Sequence, residues 1–222
     1  GLGSIYVMAF DPASGQSGEV WRITDDGGSE GWPTWSPDGR RMAFHSDRSG
    51  NWDIWIANAD GSGLTQLTHH PGPDRFADWS PDGAKIAFTS RRSGNDDVWV
   101  IDVAEALESG DDSGAINLTR SPGADRYPFW SPDGQRLTFN TRRDGNDEVY
   151  LMNRNGSAPR NVSNSPSSSE GLADWSPDGR RLVFYSDRSG DKEVYILDLA
   201  SLAWTNISNH PANDEFCSWS PN

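Results

Sequence analysis

The chain has 222 residues, 34% of them hydrophobic and 11% aromatic, with 11 tryptophans, one cysteine and a formal net charge of −14. Such an excess of acid argues against nucleic acid or an anionic membrane surface as partner, since both need basic patches, and the lone Cys217 excludes an intrachain disulfide. The modest hydrophobic share is offset by large rings, a few of which per repeat fill the space between sheets, and no run approaches the ~18 apolar residues that span a bilayer.

In chain order, residues 4–8 and 18–24 read as two β-strands. A block reading Trp-Ser-Pro-Asp-Gly then begins at Trp35 and recurs at Trp79, Trp130 and Trp175, with a truncated copy at 219–222. The spacings are 44, 51, 45 and 44 residues, the length of one four-stranded propeller blade. A short run ending at each Trp (32–35, 76–79, 127–130, 172–175) is the predicted innermost strand. The Ser-Pro-Asp-Gly that follows is a hairpin turn, with proline setting φ and glycine accepting left-handed geometry.

The second strands are β-rich and alternating at 42–46, 86–90, 137–141 and 182–186. After a polar loop come third strands at 53–56, 97–100, 148–151 and 193–196. Fourth strands end in Leu-Thr-like pairs at 67–68, 118–119, 162–163 and 207–208, and a loop carrying Pro71, Pro122, Pro166 or Pro211 restarts the unit. The longest spacing is explained by a surface excursion at 104–114, with a helical turn over 102–108. Residues 216–222 supply a further first strand; 4–8 and 18–24 match third and fourth strands. The expectation is therefore an all-β propeller in one domain over 1–222, with blades at 30–68, 74–119, 125–163 and 170–208. A fifth blade, 214–222 with 1–24, lacks only its second strand. A five-bladed ring closed by both termini is the preferred reading, against part of a longer, six-bladed propeller.

Five residues before every Trp stands an acid: Glu30, Asp74, Asp125, Glu170 and Asp214. One carboxylate per blade near the axis can form a ring that holds Ca²⁺ or attracts a basic peptide; alternatively each acid serves its own strand start or an arginine of a neighbouring loop. Arg48, Arg92, Arg143 and Arg188, one per complete blade, suit such pairing and would stitch blades together. Acids ahead of the third strands (Asp53, Asp96, Asp97, Asp144, Asp147, Asp191, Glu193) read as solvated turn residues. Trp35, Trp79, Trp130, Trp175 and Trp219 are expected as packing rings between blades, whereas Trp32, Trp52 and Trp204 fall outside the repeat and suit ligand stacking. The four histidines lack metal-site spacing. A G-x-S-x-G match at 27–31 lies in a glycine-rich loop without the strand–turn–helix context of a nucleophile elbow. The sequon-like Asn117, Asn161 and Asn206 arise from one repeated strand position.

The repeated string from the Trp-Ser-Pro-Asp-Gly turn through Ala/Val-Phe-x-Ser to Asp/Glu-Ile/Val-Trp/Tyr resembles the PD40, or TolB-like, WD40-type propeller repeat, over essentially the whole chain. The resemblance implies a protein- or peptide-binding or scaffolding module without catalytic residues, in an extracytoplasmic setting such as the bacterial periplasm or cell surface. Members of this family are six-bladed in the periplasmic TolB proteins, whose separate N-terminal α/β domain is not among these residues. Related propellers cap the active sites of prolyl-oligopeptidase-like serine peptidases, which makes a gating propeller the alternative. A third reading is a metal-dependent carbohydrate-active propeller, with the cation held by Asp74, Asp125 and Asp214.

Overall fold

Each Ser-Pro-Asp-Gly block closes a tight turn in the computed structural model, which describes residues 3–25 and 27–220. In the first copy the Gly39 N–H donates to the Ser36 carbonyl at 2.8 Å, while the Asp38 carboxylate accepts from Ser36 Oγ at 2.7 Å and from the Arg40 N–H at 3.1 Å. Gly39 sits at φ 67°, a region that only glycine enters without crowding a Cβ. The chain therefore doubles back antiparallel, and four copies yield four four-stranded antiparallel sheets.

A two-stranded hairpin, β1 (Tyr6–Asp11) with β2 (Gln16–Arg22), precedes them. Blade one is β3 (Glu30–Trp35), β4 (Arg41–Ser46), β5 (Asp53–Asn58) and β6 (Thr65–Gln66). Blade two is β7 (Asp74–Trp79), β8 (Lys85–Ser90), β9 (Asp97–Asp102) and, after helix α1 (Val103–Ser109), β10 (Ile116–Asn117). Blade three is β11 (Asp125–Trp130), β12 (Arg136–Thr141), β13 (Glu148–Asn153) and β14 (Arg160–Asn161). Blade four is β15 (Glu170–Trp175), β16 (Arg181–Ser186), β17 (Glu193–Asp198) and β18 (Trp204–Asn206). The expected helical turn is thus a true helix, capped by the Asp102 carboxylate and ended by Gly110 at φ 72°. Fourth strands are shorter than expected because a side chain replaces the ladder at their ends: Thr68 Oγ1 accepts from the Ile54 N–H at 2.9 Å, and Thr119, Ser163 and Ser208 repeat the contact.

The core lies between blades. Ile54, Ile56 and Leu67 of blade one pack on Ala77, Trp79, Ile86 and Phe88 of blade two, and the later seams repeat this. Phe44, Phe88, Phe139 and Phe184 are fully buried, each such ring contributing ~1.5–3 kcal/mol.

Both ends continue the pattern as partial blades. Ile5 and Ile23 of the N-terminal segment pack on Met42, Phe44 and Ala57. The Ile5 N–H donates to Thr24 Oγ1 at 3.0 Å, as the start of a third strand should. At the other end the Asp214 N–H donates to the Lys192 carbonyl at 2.7 Å, matching Asp74 to Trp52, and Arg181 lies 5.1 Å from the Trp219 ring as Arg41 does over Trp79. Residues 213–220 nevertheless form no strand: with no second strand beside them, their backbone has nothing to ladder against. Among the described residues the hairpin and this segment share no sheet; residues 1–2 and 221–222 of the expected fifth blade lie outside the described residues. The same gap corrects one packing expectation. Trp79, Trp130 and Trp175 are buried between blades, but Trp35 is 43% exposed, since the hairpin in front of it offers no second strand to cover it.

Candidate functional site

Each first strand bulges two residues after its opening acid. Trp32, Phe76, Tyr127 and Leu172 sit at φ between 54° and 57°, with a register shift against the second strand, and Phe216 adopts the same φ of 57°. This backbone conformation is costly for bulky residues, and neighbouring blades hold it in place: His45 Nδ1, Thr89 Oγ1 and Asn140 Oδ1 accept the N–H of Phe76, Tyr127 and Leu172 at 3.4, 3.2 and 3.0 Å. An acceptor His45 must be neutral there, and burial with the nearby Arg75 charge lowers its pKa to about 4.

The bulges turn large side chains toward the axis. The Trp32 ring lies 5.2 Å from Phe76, 5.8 Å from Tyr127 two blades away and 6.3 Å from Phe216, and Phe76 lies 4.4 Å from Tyr127. Contacts between non-adjacent blades place this cluster on the axis, and Phe216 is 72% exposed at its edge. Trp32 was legible as an unusual aromatic; its partners become visible only on aligning the position two after each acid. Farther along the inner strands the Asp78 carboxylate accepts from the Trp130 N–H at 2.7 Å and Asp174 from Trp219 at 3.0 Å. Burial raises Asp78 to about 7 and the neighbouring Cys217 thiol to about 11.

The expected open ring of acids is corrected. Asp74, Asp125 and Glu170 are buried, and the Glu30 side chain is fully enclosed. Arg48 reaches Glu30 at 2.8 Å, Arg92 reaches Asp74 at 2.7 Å and Arg143 reaches Asp125 at 3.2 Å. Acid and arginine belong to the same blade, so the pair braces a blade's own mouth end rather than stitching two blades. Arg188 departs from the series: it lies 3.8 Å from the Trp204 ring centroid, and Glu170 takes hydrogen bonds from Ser168 and Ser186, both 2.7 Å. Asp214 stands half-buried at the last seam.

The acids opening the third strands are likewise buried rather than solvated. Asp97 accepts from Asn117 at 2.8 Å and Thr119 at 3.2 Å, and Glu148 from the Ser165 N–H at 2.9 Å and from Ser163. They tie the third strand to the chain leaving the fourth. Asn117 and Asn161 serve the same corner, their Oδ1 atoms accepting from Arg120 and Asn164. Among the described residues no three His, Cys, Asp or Glu side chains converge as metal ligands do.

Asp96, expected as a solvated turn acid but buried, completes the mouth together with residues that no sequence motif marks. A cavity of about 230 Å³ beside the aromatic cluster is lined by Arg75, Arg91, Asp96, Arg126, Phe76 and Tyr127. Asp96 bridges Arg91 at 2.6 Å and Arg126 at 2.5 Å. Arg75 instead lies 5.0 Å from the Trp52 ring, and its Nε is buried without a hydrogen-bond partner.

The comparisons match this architecture. The family described as the Tricorn protease N-terminal beta propeller domain matches residues 10–95. The chain is 35% identical over 154 residues to the Tol-Pal system protein TolB of Bordetella pertussis, covering 69% of this chain and 33% of that protein. The crystal structure of TolB from Acinetobacter baumannii superposes with a TM-score of 0.73 at 18% identity, over 92% of this chain and 52% of the other. A puromycin-hydrolyzing peptidase of Mycobacterium tuberculosis superposes at 0.71 with 15% identity, over 94% and 38%. The chain spans less than half the length of the curated relatives it matches, and the structural likenesses, at such identities, speak for the fold alone.

Proposed function

Taking as premise that the chain is a TolB-like β-propeller of PD40-type repeats, we propose that it is a non-catalytic protein- or peptide-binding module working outside the bacterial cytoplasm. The observation that carries the reading is the mouth: aromatic rings converge on the axis, with Phe216 72% exposed, beside a cavity lined by arginines. Aromatics and arginines at one concave place are the residues that anchor protein contacts. Identity of 35% to a protein of the Tol-Pal system supports a partner in the cell envelope.

The test is site-specific photo-crosslinking in the parent protein, with a photoreactive residue in place of Phe216 and, as control, of Asp38 in the turn at the opposite end of the first strands. A discrete protein adduct from the mouth but not from the turn supports the reading. Equal labelling from both positions, or turnover of peptide substrates by the purified parent, overturns it. A second reading, the gating propeller of a larger hydrolase, is favoured by the peptidase whose structure overlies 94% of this chain. It requires a hydrolase domain elsewhere in the parent polypeptide, which sequencing and mass measurement of that parent decide.

A further inference from the structure

At each seam the residue before the third strand meets the residue after the next blade's opening acid. At the second seam Asp96 meets Arg126, an ion pair. At the fourth Lys192 meets Glu215 at 2.9 Å, an ion pair of opposite sense. At the third Asp147 is paired by Arg142 at 2.7 Å, and the residue after the next opening acid is Gly171, which carries no charge. The first seam breaks this balance: Trp52 meets Arg75, so the guanidinium gains a ring in place of a direct ion pair, with Asp96 as a more distant counter-charge. Among the described residues no carboxylate pairs with Arg75, and repulsion from Arg91 adds to burial in lowering its pKa.

Its charge falls within the mouth cavity. Three guanidinium groups line that space against the single Asp96 carboxylate, an excess of two positive charges in a chain whose net charge is −14. Arg91 and Arg126 remain 56% and 32% exposed, so both keep donors free beyond those given to Asp96. The Phe76 and Tyr127 rings form an apolar wall. A space of about 230 Å³ holds one side chain or chain end, below the ~300–1,000 Å³ of ordinary ligand pockets.

We propose that this cavity receives a carboxylate presented by a peptide segment of the binding partner, held by Arg75, Arg91 and Arg126 and flanked by Tyr127. Guanidinium donors match a planar carboxylate in bidentate fashion. A monoanion also meets less repulsion from Asp96 than a phosphate dianion would. The proposal rests on the mouth being the binding face, and it reverses the polarity expected of an acidic ring: the partner's contacting segment is acidic, not basic.

The experiment is an NMR titration of the chain, labelled at its arginine side chains, with the capped peptide acetyl-Gly-Glu-Gly-amide and its Gln counterpart. The expected result is saturable shifts of the Arg75 and Arg126 Nε–H signals with the Glu peptide only, weakened at least ten-fold in Arg75→Gln. Arg154→Gln, remote from the mouth, leaves them unchanged. Arg91→Ala, on an exposed side chain, provides a second weakened variant should Arg75→Gln unfold. Equal shifts with the Gln peptide, no saturation, or tighter binding of inorganic phosphate overturns the carboxylate assignment. Mouth crosslinking that survives in Arg75→Gln and Arg91→Ala alike sinks this proposal while leaving the binding-face reading intact; loss of mouth-specific crosslinking in the unmutated protein sinks the latter instead.

Discussion

Gly171 and Tyr185 are cross-strand partners in blade four, and a Cβ on Gly171 would lie 2.3 Å from the Tyr185 ring. The same relation holds in blade one, where Gly31 faces His45 and a Cβ would meet its Nε2 at 2.9 Å. In blades two and three the small or narrow Thr89 and Asn140 face Arg75 and Arg126. A ring on the second strand thus requires glycine opposite, and the mouth arginines exist only where that ring is absent.

Gly171→Arg alone is therefore expected to destabilise the fold by ~1–3 kcal/mol through overpacking. Combined with Tyr185→Thr, which recreates the blade-two pair, it should recover most of that loss. Chemical denaturation of both single variants and the double variant gives the coupling; additive losses would contradict the steric account.

The Asp74–Arg92 pair is expected to behave as a buried ion pair whose halves cannot be removed singly. Arg92→Met leaves Asp74 without its guanidinium, at a cost of ~3–5 kcal/mol. Adding Asp74→Asn removes the stranded charge, so the double variant should be more stable than Arg92→Met alone. Thermal unfolding of the wild type, Arg92→Met and the double variant checks the order, and a double variant worse than Arg92→Met would refute it.

The blades were legible because their signals are local and repeated. The turn glycines, the alternating second strands and the helix-capping Asp102 each act within a few residues. The site was less legible because its contacts join different blades. Nothing near Asp74 in sequence says that it will be buried, since the residues that enclose it come from the preceding fourth strand and its own distant loop. The mouth arginines escaped because they break the repeat at one position, where Gly31, Arg75, Arg126, Gly171 and Glu215 alternate. Only the register shows what each one faces.

His45 should stay neutral under mildly acidic conditions. Its pKa in the folded chain is lowered from 6.5 to about 4, chiefly by burial and then by Arg75. The unfolded chain consequently binds more protons between those values, so the stabilisation it reports is present above pH 6.5 and is lost as pH falls toward 4. NMR of the imidazole should show no titration near 6.5, and His45→Thr, the residue type of blade two, should flatten this part of the stability profile. A His45 midpoint near 6.5 would contradict its role as acceptor for the Phe76 N–H.

Glu170 should contribute a pH dependence of the opposite sign. The Arg188 guanidinium that its position in the repeat calls for is stacked on Trp204, and Glu170 Oε2 is buried without a conventional partner beside the Glu148 carboxyl. Ionising Glu170 in such a place is costly, so Glu170 retains its proton. Burial is the main cause, and Glu148 adds to it, raising Glu170 from 4.5 to about 7. The folded chain thus holds an extra proton between pH 4.5 and 7, and wild-type stability falls as pH rises through that window. Glu170→Gln keeps the shape and supplies a permanent donor toward Glu148. The variant should gain on the wild type as pH rises, by ~1–3 kcal/mol above pH 7. Urea unfolding of both proteins at pH 4.5, 6 and 7.5 isolates this effect, because other raised acids such as Asp53 and Asp78 cancel in the difference. A gap that does not change with pH would mean that Glu170 does not hold a retained proton beside Glu148.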